Sequence, residues 1–380
     1  MPRVRILLST GRAVVYGLCA TVLGLILVGA SPEVARGQPA PVVDSIGQAL
    51  VENHPGGAVI GLLRRDTTAV HAFGAVDSTG RRPTACTLFE IGSITKTFTG
   101  LLLADAIEGG EVERSTPVGA LLPDSVTIGT ADSTTVTLGH LATHRSGLPR
   151  LPANLGATAR PWDPYAAYGD SALYAFLDGY TLPRASGTGY QYSNLGAGLL
   201  GHLLARRADT TYAALVRRRI TVPLGLSETR IRLTDAQHSR FAQGHTRAGA
   251  PTSPWHFDAL AGAGALRSTA GDVLAYLRAY RHALAAASGP TLALQQAMRR
   301  ALRPRAPTGR DSTHVGLAWH QSTRDGHEVF WHNGGTGGFR SLAALDRDTG
   351  HGVVVLVSTA LSSRRVTKTG MALLHALRSD

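Results

Sequence analysis

Lysine is nearly missing from this chain. Of its 38 basic residues only Lys96 and Lys368 are lysines, and the remaining 36 are arginines. Cysteine is equally rare, with Cys19 and Cys86 alone. Cys19 lies in an N-terminal apolar stretch that reads as removable, so the body of the protein keeps only Cys86 and relies on its core, without an internal disulfide. From Pro41 onward there is no low-complexity linker and no repeat of fixed period, which leaves one large domain or two fused lobes. Charged residues make up 17% against 43% apolar over 380 residues, enough to bury a large core and without the signature of disorder.

The formal net charge is +12, which raises binding to nucleic acid or another anionic polymer. The arginines are scattered, however, and short runs such as "RRR" at 217–219 carry no interleaved aromatics. Arginine in place of lysine reads as codon bias, and no nucleic-acid partner is expected. A small-molecule or peptide substrate and a monomeric chain are expected instead.

The first 12 residues hold Arg3, Arg5 and Arg12 with no acid, and the uncharged stretch "AVVYGLCATVLGLILVGA" follows from Ala13 to Ala30. This is the pattern of an export signal over residues 1–37, with cleavage after Ala30 or Gly37, and it predicts a periplasmic or secreted protein. The stretch is also long enough to stay as an uncleaved membrane anchor. Cys19 follows Leu18, where a lipoprotein signal would need a small residue, so lipidation is not expected.

Residues 38–380 read as the folded domain. Val42 to Asn53 has helical spacing, and "GAVIGLLRR" and "TAVHAFGAV" flank Asp66 as paired strands. The run "ITKTFTGLLLADAIE" ends at Gly109 and Gly110, a helix with its C-terminal stop. Helical patterns dominate to about residue 300. Four strand-like runs follow, "VGLAWHQ", "HEVFWH", "RSLAALD" and "HGVVVLVST", then a final helix, "VTKTGMALLHALRS". Strands at both ends with helices between predict an α/β (α+β) fold with one sheet built from both chain ends, about 41–92 and 312–380, and a helical insertion over about 93–311.

Ser93 and Lys96 stand three residues apart at the start of the apolar helix and share its face, so hydroxyl and amine meet. An arginine there stays protonated, whereas a buried ammonium can lose its proton near neutral pH and take that of a serine hydroxyl. The competing reading makes Ser93 a helix cap and Lys96 a surface residue. Tyr192 and Asn194, in "YQYSNLGAGLLGHLLARR", alternate in an extended segment before another helix and can face one cleft. The phenol suits proton shuttling and the amide suits a substrate peptide group; alternatively Asn194 caps the helix and Tyr192 packs. In "WHNGGTGGFRS", glycines from Gly334 to Gly338 beside a strand let a substrate backbone approach and leave N–H groups free for an oxyanion, unless they form a plain β-bulge. A phosphate loop is not supported, since no Gly-Lys-Ser/Thr follows.

With these three motifs in order, the chain resembles the serine β-lactamase and penicillin-binding-protein superfamily, in the branch of class C β-lactamases, D-alanyl-D-alanine peptidases and family VIII esterases. The resemblance covers about residues 45 to 375 and includes "TLGHLATHRSGLPR", "VPLGLSETRI", "AQGH" and "AGAGALRSTAGDVLAYL". It implies a β-lactamase/transpeptidase-like antiparallel sheet flanked by helices. It also implies that Ser93 is the acylated nucleophile, Lys96 its basic partner, and Tyr192 a general base and acid. Asn194 would hold the substrate amide, and the N–H groups of Ser93 and Gly335 would form the oxyanion hole. The substrate would be a β-lactam, a D-amino-acid peptide or a small ester, with no cofactor; a non-catalytic sensor on the same fold is the alternative of another class.

His332, Asn333 and Gly334 stand where class C β-lactamases carry Lys-Thr-Gly. Histidine is a weaker, pH-dependent cation for a substrate carboxylate, so substrate affinity is expected to fall as pH rises through about 6.5. Lys368, Thr369 and Gly370 spell that motif letter for letter but sit in a helix-like run without a glycine-rich turn, and are not assigned to the site. His140 and His144 have the i, i+4 spacing of a helical zinc pair, but no glutamate follows His140 and no third ligand is assignable, so no metal is expected.

Overall fold

The structure is a computed structural model that describes residues 41–130, 134–286, 293–310 and 312–378. The export signal read over residues 1–37 lies outside the described residues. Among the described residues no helix is long and apolar enough to cross a membrane.

Strands β1 (Gly57–Arg64) and β2 (Thr67–Gly74) form the expected hairpin, with Gly57 opposite Gly74 and Arg64 opposite Thr67. The C-terminal part supplies β3 (Ala306–Pro307), β4 (His314–Val315), β5 (His320–Arg324), β6 (His327–Gly335), β7 (Arg340–Asp346) and β8 (Gly352–Val357). Together they make one eight-stranded sheet in the order β2-β1-β8-β7-β6-β5-β4-β3, antiparallel throughout. The two chain ends meet where β1 lies along β8, Ala58 opposite Val357.

The principal helices are α1 (Pro41–Val51), α2 (Thr95–Glu108), α3 (Asn194–Arg207), α4 (Ala270–Ala285), α5 (Ala293–Leu302) and α6 (Ser363–Arg378). Both faces of the sheet centre are covered, which is why β1 and β8 read as unbroken apolar runs rather than alternating ones. Ala58, Ile60, Leu62, Val353 and Val355 share a core with Leu50 of α1 and Leu373 of α6. Their neighbours Val59, Leu63, Val354 and Leu356 belong to the larger core on the opposite face, with α2, α3 and α4. Helix α2 is buried almost all round, as its sequence has no polar stripe to give to water. Phe98 of α2 stacks on Tyr276 of α4 with ring centroids 4.1 Å apart.

Two details depart from the sequence reading. The run "VGLAWHQ" is not one strand: Leu317 N–H donates to Ala301 and Ala318 N–H to Ala142, and Ala318 turns at φ +69°. The stretch between α2 and α3 is mostly loop, with short helices at Leu138–Ala142, Leu155–Thr158 and Asp170–Asp178. Within the sheet, β6 lies inside the strand order, yet β5 pairs with it only as far as Trp331. Residues His332 to Gly335 therefore present a free edge on that side.

Candidate active site

A short 3-10 turn, Gly92–Ile94, joins the two-residue strand Phe89–Glu90 to α2 and carries Ser93. Gly92 holds φ +49°, and a Cβ there would stand 2.6 Å from Gly335 N, so only glycine lets the end of β6 approach. Gly334 is equally constrained, since a Cβ would meet Ile91 O at 2.1 Å. The Ser341 hydroxyl donates to the same Ile91 carbonyl at 2.8 Å and ties β7 to the turn. The strand before the turn is anchored by Glu90 and Arg267, a buried pair 3.5 Å apart. Burial raises the Glu90 pKa and lowers that of Arg267. Both side chains also bind the main chain of Trp255.

Lys96 is fully buried, as its place on an apolar helix predicts. Its Nζ lies 2.9 Å from Ser93 Oγ and 2.5 Å from Ala263 O. Burial, helped by the charge of Arg150, holds the amine well below the usual lysine range. Among the described residues no carboxylate pairs with this amine, and its dry pocket disfavours the charged form.

Tyr192 forms the facing wall. Lys96 Nζ stands 5.0 Å from its ring centroid and the Arg150 guanidinium carbon 5.2 Å. Burial pushes the phenol well up, with Ser93 close enough to offset part of the rise, so Tyr192 is a neutral phenol at ordinary pH. The cap of α3 is Ser193, whose hydroxyl accepts from Gly196 N–H, rather than Asn194. Asn194 Nδ2 donates to the Tyr165 hydroxyl at 3.0 Å, and its Oδ1 is buried without a partner.

His332 is fully buried beside Lys96, and burial together with His320 and Lys96 holds its ring well below the usual histidine range. It is a neutral imidazole, so the expected cation titrating near 6.5 is corrected: no charge is present there to be lost. Its Nδ1 contacts Asn333 O at 2.6 Å and its Nε2 has no partner. His320, pulled down to about 4 by burial, pairs with the Tyr190 hydroxyl at 3.0 Å. Asn333 points its amide to Thr367 of α6, away from Ser93, while its main chain stays on the β6 edge. Lys368 lies exposed on α6, and the adjacent Gly370 packs against Leu342.

The shared helical face behind the zinc reading is not there. The helix ends at Ala142, His144 turns to φ +57°, and its buried ring accepts from Ser193 N–H and lies 4.4 Å from the Tyr192 ring. His140 instead closes a capping box with Thr137.

The structure thus gathers Ser93, Lys96, Tyr192, Asn194, His332, Gly334 and Gly335 around one turn. Arg150 and Ala263, which lie in the stretches "HRSGLPR" and "AGAGAL", and Tyr165 have no site role in the sequence reading, and His144 enters it only as a rejected zinc ligand. A serine hydroxyl beside a desolvated amine is the equipment of a serine hydrolase. The Beta-lactamase family profile matches residues 43–377, and the chain belongs to that family of serine hydrolases.

A β-lactamase of Pseudomonas fluorescens is 26% identical over 374 residues, covering 88% of this chain and 98% of that protein. The D-alanyl-D-alanine-carboxypeptidase/endopeptidase AmpH of Escherichia coli K12 is 28% identical over 292 residues, 74% of each chain. Among solved structures, a β-lactamase/D-alanine carboxypeptidase from Pseudomonas syringae superposes with TM-score 0.75 at 20% identity, covering 88% of this chain and 98% of that one. The D-alanine carboxypeptidase AmpC of Burkholderia cenocepacia gives 0.70 at 26% identity, covering 88% and 96%.

Proposed function

We propose that this chain is an exported hydrolase that opens β-lactams or related D-amino-acid amides through an acyl-enzyme on Ser93. The observation that carries the reading is the 2.9 Å contact between Ser93 Oγ and a fully buried Lys96 amine, whose pKa burial holds well below the usual lysine range. Ser93 gives its proton to Lys96 as the Oγ–carbon bond forms, and the N–H groups of Ser93 and Gly335 hold the oxyanion. The Tyr192 phenol, protonated because its pKa is raised, hands its proton to the leaving nitrogen or oxygen as that bond breaks. It recovers a proton from the Lys96 ammonium, and water then cleaves the acyl-enzyme. Tyr192 therefore acts first as an acid, and Lys96 is the base. Asn194 holds the substrate amide, and the free edge of β6 from His332 to Gly335 receives the substrate main chain. The basic and then uncharged opening of the chain supports a periplasmic or secreted enzyme.

A D-alanyl-D-alanine peptidase or carboxylesterase is the second reading, favoured by the neutral His332 where class C enzymes carry a lysine. Turnover of nitrocefin, a D-Ala-D-Ala peptide and p-nitrophenyl esters, measured in parallel, separates the readings. Intact-mass spectrometry with a penicillin and an activated phosphonate should show one adduct, absent in Ser93→Ala. A folded wild type that takes no adduct overturns the acyl-enzyme.

A further inference from the structure

We propose that Arg150 is the anion-recognition residue of this site, taking a carboxylate on the acyl half of the substrate beside the amide held by Asn194. The proposal rests on the acyl-enzyme reading above and names the substrate class: amides or esters whose acyl part is acidic.

Arg150 follows the short helix Leu138–Ala142, and its carbonyl accepts the N–H groups of Asn194 at 2.9 Å and Leu195 at 3.3 Å. Those bonds lock it to the first turn of α3, so Arg150 and Asn194 form one rigid unit. Its side chain is exposed and leans over Tyr192, with the guanidinium carbon 5.2 Å from the ring centroid. Stacking on a ring leaves the planar edge of a guanidinium free for bidentate contact with a carboxylate.

Among the described residues no carboxylate pairs with Arg150 and no acceptor takes its side-chain N–H groups. The other basic groups around the reaction centre are committed. Lys96, His144, His320 and His332 are buried, which holds each well below its usual range and disfavours a charge there. Arg340 donates to Thr336 O and Phe339 O, and Arg145 to Gly187 O. Arg310 lies close enough to Tyr190 and His320 for its charge to exert a lowering pull on both of their pKa values. The charge of Arg150 reaches Lys96 and helps to lower its pKa. The buried, unpartnered Oδ1 of Asn194 supplies a second, independent feature: an acceptor for a substrate N–H next to that free cation. An N–H donor with a carboxylate close by describes an acidic peptide-like acyl group.

The test compares kcat/KM for the p-nitrophenyl half-ester of adipic acid with that for p-nitrophenyl hexanoate, which lacks the carboxylate. In wild type the ratio should favour the anionic ester. It should fall about tenfold or more in Arg150→Ala, as expected for a lost charge-assisted hydrogen bond, further in Arg150→Glu, and least in Arg150→Lys. Arg310→Ala should leave the ratio within about twofold, the scatter of a surface change. An ester charged on its leaving group, 4-carboxyphenyl hexanoate, should show a smaller loss. An unmoved ratio in Arg150→Ala and Arg150→Glu overturns the proposal, as does an equal change in Arg310→Ala or a larger loss with the leaving-group carboxylate. In each of those cases a wild type still labelled at Ser93 by a phosphonate leaves the acyl-enzyme reading standing. A folded wild type that hydrolyses neither ester and takes no label overturns both.

Discussion

The carbonyl oxygen of Ala263 stands 2.5 Å from Lys96 Nζ, although 167 residues of chain separate the two. That contact aims the amine. The amine also donates to Ser93 Oγ; once neutral it has two N–H groups and one lone pair, so an N–H can stay on Ala263 O while the lone pair turns to the Ser93 hydroxyl. An ammonium would bring a third donor into a pocket without a carboxylate among the described residues, and the pocket therefore disfavours the charged form.

Lys96→Arg should fold with a near-native circular dichroism spectrum yet lose on the order of 10³-fold in kcat/KM, because a guanidinium cannot take the proton of Ser93. In wild type, kcat/KM should fall toward acid as Lys96 becomes protonated, with the limb well below the usual lysine range. Removing the Arg150 charge weakens the repulsion on that ammonium, so Arg150→Ala should move the limb to higher pH. Comparable activity in Lys96→Arg refutes the assignment of the base.

The buried histidines make stability depend on pH. His144, His320 and His332 are all held below their usual value, chiefly by burial, with His320 at about 4. Below about 6.5 the unfolded chain binds protons that the folded one refuses, so stability rises with pH and is lost as pH falls from there toward the folded values. Each histidine costs about 1.4 kcal/mol per pH unit within its window. Urea midpoints between pH 7.5 and 4.5 should drop steeply, and His320→Gln should flatten the slope by roughly one proton. An unchanged slope in the variant would mean that His320 titrates alike in both states.

Gly334→Val should abolish turnover, since a Cβ at that position meets Ile91 O at 2.1 Å and drives the β6 edge from the Ser93 turn. Lys368→Ala, on the exposed face of α6, should keep kcat/KM within about threefold. Steady-state kinetics on the two variants checks this directly. The reverse pattern would place the third wall of the site on α6 instead of β6.

Breaking the buried ion pair behind the turn should be severe. Arg267→Met leaves Glu90 uncompensated at 3% exposure and should cost about 3–5 kcal/mol in urea unfolding. The double change Glu90→Gln with Arg267→Met should recover most of that loss, because the stranded charge is gone. Equal destabilisation by the single and double variants would assign the effect to the Trp255 contacts instead.

What was legible in the sequence is what backbone geometry decides over a few residues. Ser93 and Lys96 meet because i and i+3 share a helical face, and the β1–β2 hairpin follows from two apolar runs around Asp66. The glycines of β6 mark a close approach that no other residue permits at Gly334. Whether a group is dry, charged or paired depends on chain segments tens to hundreds of residues away, and no local pattern records it. Packing against Ala263, Tyr192 and Arg150 is what lowers the pKa of Lys96. Burial likewise removes the charge from His332, whose spelling beside the glycines had suggested a cation. The sequence by itself determined which side chains could do chemistry; desolvation, a property of the assembled fold, decided which of them hold a proton and which hold a charge.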